Sequence, residues 1–164
     1  MKARGYFMNI KVFSRKDCLK YIKENKNNNR AVISITDIKS QLPFKLAKEN
    51  AVLFLQFDDE ENGDCAMTPQ HANTIVSFVK SLDDIVDELI VHCEAGVSRS
   101  AAVAAAISFS INGDDAEFFK FPYYPNKLCY RLVLEAFGFD LKKLFLDQKH
   151  EDNVKDIMKH IDEL

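Results

Sequence analysis

Short apolar runs and amphipathic segments alternate along the first hundred or so residues of the chain. The apolar runs lie at 7–13, 31–36, 51–57 and 88–92 and have the length and composition of buried strands. The run at 51–57 is nearly continuous, which is typical of a strand covered on both faces in the middle of a sheet. Strands alternating with helices predict an α/β domain with a central, mainly parallel sheet of about four strands flanked by helices.

Capping residues mark where the first two helices begin. Ser14 followed by Asp17 resembles a capping box and predicts a short helix with Leu19 and Ile22 on its inner side. Thr68-Pro69 predicts a second helix with proline at its first position. Its buried stripe is expected to comprise Ile75, Val76 and Val79. Residues 26–30 are expected to form a surface turn, and the pattern at 41–50 is ambiguous.

After residue 100 the pattern is helical only. An alanine-rich segment at 100–110 predicts a tightly packed helix that ends at Asn112-Gly113. Asp114 with Glu117 predicts a short helix, and another is expected from Pro125-Asn126 to Gly138. One or two C-terminal helices are predicted by the apolar stripe Leu141, Leu144, Phe145, Val154, Ile157, Met158 and Ile161. The C-terminal half is therefore expected to be helical.

Length and composition favour one soluble domain spanning 1–164. The chain has 164 residues, of which 47% are hydrophobic, and a formal net charge of −3. This charge does not favour a nucleic-acid binder. No signal peptide and no apolar run long enough to span a bilayer are found, so we expect a cytoplasmic protein without a membrane partner. The oligomeric state is left open.

The four cysteines are irregularly spaced, with no Cys-x-x-Cys pair. A zinc site or a disulfide scaffold is therefore not expected, and the sequence predicts neither a metal nor a cofactor. The other histidines, His71, His150 and His160, have no metal-ligand spacing.

Residues 92–100, His-Cys-Glu-Ala-Gly-Val-Ser-Arg-Ser, lie between a predicted strand and a predicted helix. A loop of this length can turn its N–H groups inward and form an anion nest beside the helix N-terminus, with Gly96 allowing close backbone approach. Arg99 can grip two phosphoryl oxygens, and the nest favours the thiolate form of Cys93. Such a thiolate is placed for in-line attack on phosphorus. The phosphate-binding positions are expected to be Glu94, Ala95, Gly96, Val97, Ser98 and Arg99.

This Cys-x5-Arg-Ser segment, preceded by His, resembles the signature loop of the cysteine-dependent protein tyrosine phosphatases, closest to the compact dual-specificity-like branch and its small prokaryotic-type members. The resemblance covers about 31–138, the expected catalytic core. It implies that Cys93 is the nucleophile and Arg99 the phosphate clamp, that Ser100 assists departure of the thiolate, and that His92 orients the loop and tunes the thiol.

The family also needs an aspartic acid that protonates the leaving oxygen. Asp58 and Asp59 are the candidates, in an acidic loop some 35 residues before Cys93. The Trp-Pro-Asp motif of the tyrosine-specific members is absent. If the strand at 51–57 continues its alternation, Asp59 shares a face with Phe57, and the apolar-x-Asp pattern of the compact members selects the same residue. Asp59 is therefore preferred and Asp58 is the second choice.

The expected function is a phosphomonoester hydrolase with a phosphocysteine intermediate, a protein tyrosine or dual-specificity phosphatase in type. The alternative is a phosphate- or phosphopeptide-binding module of the same fold with weak catalysis. The substrate is expected to be a phosphorylated protein, a peptide or a small phosphoester, because Glu94 and Val97 supply none of the extra cations that favour an inositol lipid. A protective disulfide between Cys65 and Cys93 is possible, although a plain thiol in the acidic loop is the simpler interpretation.

Overall fold

A four-stranded sheet with the order β1-β4-β2-β3 lies at the centre of the molecule, and all of its strand pairs are parallel. The computed structural model describes residues 7–27, 29–40, 51–82 and 86–146. The strands are β1 (Asn9–Ser14), β2 (Arg30–Thr36), β3 (Ala51–Gln56) and β4 (Glu88–Cys93). β4 and β2 form the middle of the sheet, and every residue in both is buried.

Five α-helices and one 3₁₀ turn complete the described part of the chain. The helices are α1 (Arg15–Glu24), α2 (Pro69–Ser81), α3 (Arg99–Asn112), α4 (Lys127–Ala136) and α5 (Leu141–Leu146), and the 3₁₀ turn is Ala116–Phe119. Ser14 and Thr68 cap α1 and α2 through their side chains, as their sequence contexts predict. Gly113 and Gly138 follow α3 and α4 at φ 79° and 97°, a conformation that favours glycine.

Helices cover both faces of the sheet. Cys18 of α1 packs on Val32 and Ile90 on one face, whereas α2, α3 and α4 form the large core on the other. The stripe of Ile75, Val76 and Val79 on α2 is buried, as predicted. α3 is buried from Arg99 to Phe109, because its run of alanines lets the helix backbone pack closely among the neighbouring elements. The predicted α/β class and the four parallel strands are confirmed, and so is the helical second half as far as residue 146, where the described residues end.

Some local expectations are wrong. The apolar run of β3 predicts a central strand, but β3 is an edge strand of the sheet that the described residues form, and Phe54 on it is 41% exposed. An apolar run indicates that a strand is largely buried and does not give its position in the sheet. Leu19 is 43% exposed, since Cys18 and Ile22 face the sheet instead. Arg30 is buried at the start of β2, where it pairs with Glu88, and does not belong to a surface turn.

The remaining differences concern boundaries. β1 begins at residue 9 and ends at 14, two residues and one residue later than predicted, and β4 extends to Cys93. The short helix expected at Asp114 is a 3₁₀ turn that begins at Ala116. The segment 41–50 and the C-terminal positions Val154, Ile157, Met158 and Ile161 lie outside the described residues.

Candidate active site

The predicted phosphate loop, residues 93–99 and hereafter the signature loop, lies where the central strand β4 ends and α3 begins. Ligands of parallel α/β sheets bind at this edge, where the strands end. Cys93 is the last residue of β4 and is 2% exposed. Its side chain therefore lies at the base of the loop, surrounded by protein.

Two polar groups contact the Cys93 sulfur. The main-chain N–H of Gly96 donates to Sγ at 3.2 Å. The Ser100 hydroxyl lies 3.1 Å from the same atom and is fully buried in the first turn of α3. These contacts are suited to a sulfur that carries negative charge.

Carbonyl groups of the signature loop point outward to neighbouring segments. The carbonyl of Glu94 accepts from Arg15 N at 3.2 Å, that of Val97 accepts from Tyr124 N at 2.9 Å, and that of Ser98 accepts from Asn126 N at 3.2 Å. In a planar trans peptide the following N–H points the opposite way. The N–H groups of residues 95, 98 and 99 are thereby turned toward the inside of the loop, as an anion nest requires.

Gly96 is required by packing against β1. It has φ +70°, and a Cβ atom there would lie 2.5 Å from the carbonyl carbon of Phe13 and 2.8 Å from its oxygen. The sequence predicts a close backbone approach at this glycine, and the structure shows that the approaching backbone is that of Phe13 and Ser14.

The Arg99 side chain is 5% exposed and lies beneath the signature loop. Its Nη1 donates to the carbonyl of Phe57 at 2.7 Å and pairs with Asp37 Oδ1 at 2.7 Å. Its Nε is buried and has no hydrogen-bond partner among the described residues. The Nη1 end of the guanidinium is thus fixed by protein, while the buried Nε lacks an acceptor among the described residues.

The two adjacent aspartates of the acidic loop, residues 58–67, face different neighbours. Asp59 Oδ1 accepts from the hydroxyl of Ser98 at 2.8 Å and from Asn126 Nδ2 at 2.9 Å. Asp58 Oδ1 accepts from Ile38 N at 2.9 Å, on the loop after β2. Asp59 therefore contacts the signature loop and Asp58 does not, which follows the alternation used to prefer Asp59.

Ser98 immediately precedes α3, yet its side chain does not cap the helix. Its hydroxyl donates to Asp59 instead. The N-cap side chain therefore leaves the N–H groups in the first turn of α3 without an acceptor. Such N–H groups are suited to binding an anion.

His92 is fully buried in β4, and its Nδ1 lies 3.4 Å from the Cys93 carbonyl oxygen. Burial lowers the pKa of His92 from 6.5 to about 4. The imidazole is therefore neutral near pH 7. It can hold the end of β4 in place, but it brings no positive charge to the thiol.

Asn126 is a site residue whose role the sequence does not reveal. It caps α4 by accepting from Cys129 N at 3.0 Å, while its Nδ2 donates to Asp59 and to the carbonyl of Glu60. The Pro-Asn pair predicts a helix start, and nothing in its spacing indicates that the same amide reaches the acidic loop.

The other three cysteines are free thiols. Burial raises the pKa of Cys129, which lies on α4, so its thiol stays neutral. Cys18 is buried under α1, and Cys65 is partly exposed in the acidic loop, where its carbonyl accepts from Asp58 N at 2.7 Å.

In the ranges that the structure describes, no three His, Cys, Asp or Glu side chains are grouped so that they could hold a metal ion. None of the helices in the same ranges has the length and apolar character needed to cross a bilayer.

Solved structures with the same fold are known, although no family model and no curated protein matches the chain. The human tyrosine phosphatase-like serine/threonine/tyrosine-interacting protein superimposes with a TM-score of 0.58 at 17% identity, covering 85% of this chain and 94% of that one. PTPMT1 in complex with PI(5)P gives 0.53 at 16% identity, covering 79% and 90%. DUSP15 gives 0.51 at 20% identity, covering 92% of each chain. The chain therefore has the fold of the cysteine-dependent protein tyrosine phosphatases, in the compact form of the dual-specificity-like branch.

Proposed function

We propose that the protein is a metal-independent phosphomonoesterase that works through a phosphocysteine on Cys93. The observation that carries the proposal is the position of the Cys93 sulfur, which accepts from Gly96 N at 3.2 Å and lies 3.1 Å from the Ser100 hydroxyl. Asp59 is hydrogen-bonded to the same loop through Ser98. The catalytic core is assigned to about 31–138 of a single unit spanning 1–164, with Phe13 and Ser14 supporting the loop at Gly96.

In the first step the Cys93 thiolate attacks the phosphorus of a bound phosphomonoester from the side opposite the leaving oxygen. A bond forms between sulfur and phosphorus, the ester P–O bond breaks, and Asp59 transfers its proton to the leaving oxygen. The products are an alcohol and phosphocysteine.

In the second step the Asp59 carboxylate takes a proton from a water molecule that attacks phosphorus. The S–P bond breaks, inorganic phosphate is released, and the Ser100 hydroxyl donates a hydrogen bond to the departing sulfur. Throughout, the inward N–H groups and the free edge of Arg99 bind the phosphoryl oxygens.

The proposed substrate is a phosphorylated protein, a peptide or a small phosphoester. Arg99 is the sole cation of the signature loop, and the Glu94 carboxylate points to Arg15 and Ser40 at 3.4 and 3.0 Å. Because the Glu94 carboxylate balances the charge of Arg15, the loop offers Arg99 as its cation to a multiply phosphorylated headgroup. The fold itself does not select a substrate, since one similar structure is a complex with PI(5)P.

Hydrolysis of an aryl phosphate by the purified protein tests the proposal. Turnover should continue in the presence of a chelator and disappear in Cys93→Ser, because a serine hydroxyl is a much weaker nucleophile than a cysteine thiolate. Cys93→Ser should still bind inorganic phosphate. Activity that survives in Cys93→Ser, or that the chelator abolishes, contradicts the thiol mechanism. Phosphate binding by the wild type without any turnover identifies a binding module instead.

A further inference from the structure

Asp37 occupies the position between the two loops of the candidate site. β2 lies between β4 and β3, with Ser34 paired to His92 and Thr36 paired to Gln56. Because the strands are parallel, Asp37, directly after β2, emerges between the signature loop and the acidic loop. Asp37 lies outside the sequence motif of residues 92–100.

The Asp37 carboxylate contacts the guanidinium that is proposed to bind phosphate. Its Oδ1 lies 2.7 Å from Arg99 Nη1, and the Phe57 carbonyl accepts from the same nitrogen at 2.7 Å. The Phe57 carbonyl thus accepts a hydrogen bond from Nη1, and the Asp37 carboxylate forms an ion pair with the same nitrogen. Nε has no partner among the described residues. The guanidinium is therefore held by its Nη1 end.

The turn that bears Asp37, residues 37–40, is fixed to both loops. Gln56 Nε2 donates to the carbonyls of Asp37 and Ser40, both at 3.2 Å. Asp58 accepts from Ile38 N, and the Ser40 hydroxyl donates to Glu94 at 3.0 Å. These contacts explain why Asp37 sits at a defined place although its side chain is 47% exposed.

We propose that Asp37 is a positioning residue for the phosphate clamp, an inference that rests on the proposed function. Its carboxylate and the Phe57 carbonyl fix Nη1 of Arg99, so that the opposite edge of the guanidinium faces the phosphoryl oxygens. Holding a long side chain in its binding conformation lowers the entropy lost when the ligand binds.

The opposite role, a carboxylate that competes with phosphate, fits the contacts less well. A competitor has to occupy the edge of Arg99 that the ligand uses, whereas Asp37 contacts Nη1 and Nε is left without a partner. The carboxylate is also half exposed, so water and salt screen its repulsion of a bound dianion.

Three variants test the proposal. Asp37→Ala removes the acceptor and the charge, Asp37→Asn keeps an oxygen that can accept from Nη1, and Lys39→Ala is a matched control in the same turn. We measure kcat and KM for an aryl phosphate, the inhibition constant of inorganic phosphate, and the shift in unfolding temperature that inorganic phosphate causes.

Asp37→Ala is expected to weaken phosphate binding and to lower kcat/KM by about tenfold, the scale of one charge-assisted hydrogen bond. Asp37→Asn should recover most of the loss, and Lys39→Ala should behave as the wild type. A purely structural role predicts instead that Asp37→Ala lowers the unfolding temperature without phosphate while leaving the inhibition constant unchanged. That result, or phosphate binding that tightens in Asp37→Ala, overturns the proposal.

The shift in unfolding temperature caused by inorganic phosphate distinguishes a failure of this proposal from a failure of the phosphatase mechanism. If the wild type binds phosphate without turnover, the proposed hydrolysis fails while the effect of Asp37 on binding is still measured. If the wild type neither binds inorganic phosphate nor hydrolyses a phosphomonoester, both proposals fail.

Discussion

Replacing His92 with asparagine is expected to remove a large part of the acid sensitivity of the fold. Burial lowers the pKa of His92 from 6.5 to about 4 in the folded protein. In the unfolded chain the imidazole is solvated and takes up a proton near its ordinary value. Between these two pH values the unfolded state binds a proton that the folded state does not. The stability associated with His92 is therefore fully present above pH 6.5 and is lost as the pH falls from 6.5 to 4.

The shift from 6.5 to about 4 sets the size of the effect. At about 1.4 kcal/mol for each pH unit, the complete loss is about 3 kcal/mol. Between pH 7.5 and pH 5.0 the same linkage amounts to about 2 kcal/mol of unfolding free energy. This is a substantial fraction of the stability of a domain, typically 5–15 kcal/mol.

Urea unfolding of the wild type and of His92→Asn at both pH values measures this effect. Asparagine is uncharged over this range, and its amide can donate to the Cys93 carbonyl as the imidazole Nδ1 can. Burial raises the pKa of Asp115 and so gives an opposite pH dependence, but both proteins contain Asp115 and its contribution cancels in the comparison. The wild type should lose about 2 kcal/mol more than the variant. Equal losses would show that the pKa of His92 is the same in the folded and unfolded states, and the argument that burial lowers it would fail.

Two further predictions concern the loops of the site. Asp59→Asn should slow the hydrolysis of an alkyl or tyrosyl phosphate by roughly 10²- to 10⁴-fold and affect an activated aryl phosphate much less. Asp58→Asn should leave this dependence on the leaving group unaltered. An exchange of the two behaviours would identify Asp58 as the acid. Gly96→Ala should lower the unfolding temperature and abolish phosphate binding together, because its Cβ meets the Phe13 backbone at 2.5 Å; an unchanged unfolding temperature and phosphate affinity would show that the contact relaxes at no cost.

The sequence predicts the fold class and the position of the signature loop because both depend on local patterns. Capping at Ser14 and Thr68, the alanine-rich α3 and the glycine after it are each decided within a few residues. The order of the strands is not local. The apolar run of β3 resembles a central strand, yet β3 lies at the edge, and β2 and β4 in the middle have similar compositions.

The same distinction explains which site residues the sequence misses. Cys93, Arg99 and Ser100 lie in one motif, so their grouping is predicted, and the structure places Ser100 beside the sulfur. Asp37 and Asn126 reach the site from segments distant in sequence, and neither has a neighbouring motif. Asp37 becomes predictable only once β2 is known to lie between β4 and β3 in parallel register.

The contacts of the signature loop connect the proposed phosphate site to the whole sheet. The junction after β1 supports Gly96 and the Glu94 carbonyl, the turn after β2 supplies Asp37, and the end of β3 supplies the Phe57 carbonyl and Asp59. β1, β2 and β3 thus all lead into segments that contact the signature loop at this edge of the sheet. An anion bound in the nest would be held by groups that come together only in the folded chain, so by mass action its binding must stabilise the fold as a whole. The converse also holds, since a substitution that separates β2 from β4, or β3 from β2, must weaken the proposed phosphate site even though it touches none of the residues in the loop.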